Sequence, residues 1–156
     1  MKFIKITLAA IVLAASTATL AQQAAPKPEA LIKWRQSVFQ VLAWNSSRIK
    51  ANVEGQQYNR EEVVKAANST AAIAASGLGS LFPAGTEQGK GWHDTATKPG
   101  FFQDSAKVGE LAGNFTKEAS ELARIAGTGD QAAVKAQFAK LTQTCRSCHD
   151  DYKVKD

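Results

Sequence analysis

The sequence predicts an all-α protein built as an antiparallel four-helix bundle. Three observations lead there. Apolar residues recur at helical spacing in four separate stretches, no stretch alternates as a half-buried strand does, and two of the three connections are short while one is long. At 156 residues the chain suffices for a single domain of ordinary size.

The first 21 residues stand apart from the fold. Lys2 and Lys5 precede the apolar run Ile6 to Ala15, and "STATLAQQ" offers small residues for cleavage after Ala21. That run falls short of the about 20 apolar residues a spanning helix needs. Residues 1–21 therefore read as a cleaved signal peptide, residues 22–156 as one domain, and the expected location is the periplasm, with no membrane insertion after cleavage.

After a short tail, Pro28 is suited to the first turn of a helix. Leu31, Val38, Leu42 and Ile49 then fall on one stripe, with Trp34 and Val41 beside it, and the helix is expected to fade between Asn52 and Gly55. Asn59 with Glu62 resembles a reciprocal cap opening an Ala-rich second helix that Gly77 and Gly79 stop. "GLGSLFPAGTEQGKGWHDTATKPG" is too rich in Gly and Pro for a helix. It reads as an ordered surface crossover that buries Leu81, Phe82 and Trp92. In the third helix Phe101, Val108, Phe115 and Leu122 recur every seven residues, and Gly127 ends it. Thr128 with Gln131 is expected to cap the fourth helix, where Val134, Phe138, Leu141, Cys145, Cys148 and Tyr152 form one inward stripe.

Loss of Lys2 and Lys5 from 19 basic residues, against 14 acidic ones, lowers the formal charge from +5 to +3. So small a surplus without a basic block gives no case for nucleic acid. The single methionine is Met1, so the exported chain has none.

Both cysteines lie in Cys145-Arg146-Ser147-Cys148-His149. At about 100° per residue, Cys148 falls roughly 60° to one side of Cys145 and His149 roughly 40° to the other, so all three leave one helix face. A redox dithiol wants its first thiol at a helix N-terminus, and zinc wants four ligands where the chain offers two thiols, His149 and a distant His93. A disulfide across so small a helical loop would strain the backbone, though a haem-free protein holding one remains an open reading. Cys-x-x-Cys-His is the attachment signature of c-type haem, with one haem per chain bound through Cys145 and Cys148 and His149 as the axial iron ligand. For the sixth position the exported chain offers no Met, both thiols are consumed, His93 sits in a Gly-flanked loop, and a lysine is an open option that is costly to desolvate in a bundle core. The expectation is a five-coordinate, high-spin iron open to NO and CO.

The first helix "PEALIKWRQSVFQ", the crossover "TEQGKGWHD" and the terminal "CRSCHDDYKVKD" together resemble cytochrome c′, a class II c-type cytochrome, over about residues 28–155. The resemblance implies that Arg35 contacts a haem propionate and that Phe39, four residues on, covers the distal side of the iron. It also implies that Lys153 stands near the proximal face, where Arg is commoner. Members are often homodimers joined through their first helices, and Ile32 and Trp44 would suit such an interface. The function expected is binding of NO, with CO as a further ligand, in NO sequestration or detoxification. The alternative is a periplasmic one-electron carrier with an unknown redox partner. No general acid, distal base or substrate cleft is legible, so the chain does not read as an enzyme.

Overall fold

The structure, a computed structural model, describes residues 25–155; the expected signal peptide lies outside the described residues. Among the described residues four helices run in order: α1 (Pro28–Glu54), α2 (Arg60–Ala74), α3 (Ser105–Thr128) and α4 (Gln131–Tyr152). Short links join α1 to α2 and α3 to α4. The long crossover from α2 to α3 holds two 3-10 turns, Leu78–Leu81 and Pro99–Phe102. α3 packs along both α2 and α4, and α1 closes the bundle against α2 and α4.

Pro28 occupies the first turn of α1, where its missing N–H costs no hydrogen bond. Asn59 caps α2 by accepting from the Glu62 N–H at 3.1 Å. Glu62 does not complete the box. Its carboxylate takes Arg48 Nε at 3.1 Å and Asn52 Nδ2 at 3.0 Å, while the Asn59 N–H donates to Asn52 Oδ1 at 2.8 Å. The capping groups of α2 thus come partly from α1, a pairing that local sequence cannot announce.

Four expectations change. α3 begins at Ser105, capped by Asp104, because Pro99 starts a 3-10 turn that takes Phe101 out of the helix. α3 extends one residue past Gly127, and α4 is capped by Asp130, which accepts from the Ala133 N–H at 2.8 Å. Gln131 instead donates its amide to the carbonyls of Asn52, Val53 and Gly55 at the end of α1. Trp92 is not buried. It lies on the outside of α1, with Lys33 Nζ 3.8 Å from its ring and its indole N–H donating to Ser37 Oγ at 2.8 Å.

The main core gathers at one end of the bundle. Ile49 and Val53 of α1, Val63, Ala66 and Ala67 of α2, Leu122 and Ala126 of α3, and Val134 and Phe138 of α4 pack together there. Of the first helix's expected stripe, Leu42 and Ile49 are buried while Leu31 and Val38 are half-buried. Ile32 is fully buried, which corrects its assignment to an intermolecular interface: it points inward, toward Gly89 of the crossover.

Candidate haem site

The buried stripe of α4 stops at Leu141, and the cysteine motif occupies the turns beyond it. Cys145 and Cys148 are half-buried and are not bonded to each other, and the Cys145 thiol donates weakly to Leu141 O at 3.6 Å. Burial pushes both thiols up, helped at Cys148 by Asp151 and Cys145. That is the reverse of what a redox-active thiolate requires. Burial also lowers the His149 pKa, and the neighbouring Lys153 charge lowers it further. Both influences favour the neutral imidazole, the form that ligates a metal.

Across from His149 stands Phe39 of α1, its ring centroid 6.4 Å from that of the imidazole. Phe39 is also 6.4 Å from Phe82 of the crossover, and the rings continue through Phe101, 4.6 Å from Phe82, to Tyr152 at 5.8 Å from Phe101. Two thiols and an imidazole on one helix face, opposed by an apolar ring and walled by aromatics, fit a large flat apolar macrocycle with one axial nitrogen. His93 is elsewhere, exposed on the crossover, with Nδ1 beside Asp94 O at 2.8 Å and its backbone carbonyl accepting from Gln36 Nε2 at 2.9 Å.

Arg35 is 3% exposed and its two terminal nitrogens make four bonds to the crossover: NH1 to Thr86 Oγ1 and Leu81 O, NH2 to Thr86 O and Thr95 Oγ1. Its guanidinium carbon lies 4.7 Å from the centre of the Phe82 ring. Burial presses its pKa down and Glu87 offsets this. Arg35 is thus first the anchor of the crossover, and its Nε–H is the donor that these four bonds leave over. Lys153 joins the site by its backbone as well as its charge: its N–H donates to His149 O at 3.0 Å, and it pairs with Thr97 of the crossover.

Phe82, Thr86, Thr95 and Lys98, whose Nζ donates to the carbonyls of Asp150 and Asp151 just past His149, were not legible as site residues. The two threonines carry no sequence signal at all. Phe82 announced only a need for burial, and Lys98 only the extended backbone that a following proline imposes.

A profile of the family described as Cytochrome C′ matches residues 30–153. A cytochrome c′ of Rhodocyclus tenuis is 64% identical over 130 residues, 83% of this chain and 98% of the relative. A solved cytochrome c′ with ligand-controlled dimer dissociation superposes with a TM-score of 0.81 at 43% identity, covering 85% of this chain and 100% of that one. A ferrous NO-bound variant of the cytochrome c′ of Alcaligenes xylosoxidans superposes with a TM-score of 0.75 at 27% identity, over 85% of this chain and 99% of that one. The chain belongs to the cytochrome c′ family and carries that family's one covalently bound c-type haem.

Proposed function

We propose that this chain is an exported, periplasmic haem protein whose five-coordinate, high-spin iron binds NO, and CO as a second ligand, in the sequestration or detoxification of NO. Residues 1–21 are its signal peptide and residues 22–156 its one domain. Cys145 and Cys148 hold the haem by thioether bonds and His149 binds the iron. The bound haem supplies an iron centre for neutral diatomic ligands.

The observation that carries this reading is that Phe39, not a ligating side chain, faces His149 across the site. An apolar ring there gives no hydrogen bond to a bound ligand, so discrimination falls to ligands that need none. Phe39 also restricts access by its bulk. Arg35 orients the crossover that carries Phe82 against Phe39, and its Nε–H, which the four crossover bonds leave over, is the donor this reading assigns to a haem propionate. Lys153 keeps a positive charge beside the proximal imidazole and favours its neutral form. The NO-bound and CO-bound structures of the Alcaligenes xylosoxidans protein support the ligand class. In this reading the protein binds gaseous ligands rather than catalysing a reaction.

The relative with ligand-controlled dimer dissociation supports a homodimer here. Trp34, Val41 and Trp44 of α1 are all more than two-fifths exposed and form an outward apolar band on the first helix. Visible spectroscopy of the reduced protein tests the reading. A c-type pyridine haemochrome, a ferrous spectrum without sharp α and β bands, and a new Soret position on adding NO are expected. A low-spin ferrous spectrum in the absence of added ligand would overturn the open site and favour the one-electron carrier.

A further inference from the structure

The last turn of α4 carries His149 beyond the buried stripe of that helix. Leu141 is the last buried residue of that helix, eight positions earlier, or about 12 Å along the axis. A helix end also leaves four carbonyls without intrahelical partners. Here all four are met. His149 O accepts from the Lys153 N–H at 3.0 Å, and Tyr152 O accepts from the Lys98 N–H at 2.8 Å. The carbonyls of Asp150 and Asp151 both accept from Lys98 Nζ at 3.0 Å. Lys98 alone therefore satisfies three of the four, with a cation set where the helix dipole is negative.

Lys98 reaches this position because the segment around it runs beside the chain leaving α4. Thr97 pairs with Lys153 and the Val154 N–H donates to Ala96 O at 2.8 Å. Pro99 keeps Lys98 extended, at φ −68° and ψ 146°, so its backbone N–H and side chain can serve the same helix end.

We infer that Lys98 is a positioning residue for the proximal side: by holding the carbonyl end of α4 it fixes the direction in which His149 presents its imidazole. The inference rests on the reading of His149 as the iron ligand. It assigns a role to a crossover residue that touches neither the cysteine motif nor the distal ring.

The test compares wild type, Lys98→Met, Lys98→Gln and Lys98→Arg, each with its haem attached. One readout is amide hydrogen exchange across residues 148–155; the other is the iron–histidine stretching band of the ferrous protein by resonance Raman. Lys98→Met removes both Nζ bonds and is expected to speed exchange in that segment at least about tenfold, the scale of a lost charge-assisted hydrogen bond, and to shift and broaden the band. Lys98→Arg should restore both, and Lys98→Gln, which serves if Lys98→Met does not fold, should move both in the same direction by less. Faster exchange with the band unmoved would overturn the positioning role, because the brace would then hold backbone but not imidazole. Absence of the band in wild type would instead overturn the ligand assignment on which the inference rests.

Discussion

At the end of the bundle where α1 gives way to α2, the helix termini are tied by side chains of other helices; at the opposite end they are tied by the crossover. Gln131 of α4 caps the carbonyls of α1, and Arg60 of α2 donates to Gly127 O and Gly129 O where α3 stops. Small residues fill the core there, with Ala66, Ala67, Ala119 and Ala126 all fully buried. The other end is lined by rings. Phe39 stands against His149, the rings run on through Phe82 and Phe101 to Tyr152, and Arg35 and Lys98 are the fasteners. One end thus stabilises itself, while the other spends its side chains on shaping a site. Substitutions at the two ends should therefore separate stability from haem chemistry.

The largest effect belongs to the motif. Replacing both Cys145 and Cys148 by Ala removes both thioether bonds, so acid–acetone extraction should strip haem that wild type retains. Retention in the double variant would refute covalent attachment at these sites. Next come two substitutions of similar cost and opposite consequence. Leu122→Ala, in the core end, should lower stability by about 3 kcal/mol while leaving the ferrous spectrum unchanged. Arg35→Met removes four crossover bonds from a buried cation and should also lower stability, by about 3 kcal/mol, but with a changed spectrum and ligand affinity, because Phe82 loses its support. Chemical denaturation beside visible spectra checks both. If Leu122→Ala altered the spectrum as much as Arg35→Met, the division between the two ends would not hold. A smaller effect is expected at the distal ring. Phe39→Ala should raise the CO association rate about tenfold, a change in barrier of ~1.4 kcal/mol, with little change in thermal stability because the ring is 40% exposed. An unchanged rate would remove Phe39 from the access route.

The core end was the more legible of the two. Apolar residues at helical spacing and an Asn before a helix are local signals, and they placed Leu42, Ile49, Leu122, Val134 and the Asn59 cap correctly. The cysteine motif was equally local. What escaped was set by contacts between segments far apart in the chain. Phe101 kept the seven-residue spacing of α3, yet the proline two residues before it placed it in a separate turn, where it packs on Phe82 and Tyr152. Ile32 looked outward by its position off the stripe and is buried only because the crossover lies over it. The same holds for Arg35. Its bonds to Thr86 and Thr95 span 51 and 60 residues, distances over which no periodicity carries information.

The subtlest distinction between the ends is in their response to pH. At the core end, hydrogen bonds from Asn52 and then Arg48 hold the Glu62 carboxyl below its ordinary value. A depressed carboxylate contributes stability above its unfolded pKa and loses it as pH falls through the folded one. At the site end, burial and then the hydrogen bond to Asp104 push the Tyr152 phenol up to about 12 from 10.0. The phenol donates to Asp104 Oδ2 at 2.9 Å, a bond that requires the proton. A raised phenol contributes stability below the unfolded pKa, and this contribution fades between pH 10 and about 12. Acid should therefore loosen the α1–α2 corner first and alkali the junction of α3 with the end of α4. Tyr152→Phe should weaken the alkaline limb of the stability curve, to which the raised Tyr58 phenol also contributes, and leave the acid limb alone, whereas Glu62→Gln should weaken only the acid limb, which Glu61 and Glu121 share. Denaturation midpoints measured across pH give both limbs from one set of samples. Loss of the alkaline limb in Glu62→Gln would show instead that the two ends titrate as one unit, although Glu62 is bonded to Arg48 and Asn52 and Tyr152 to Asp104.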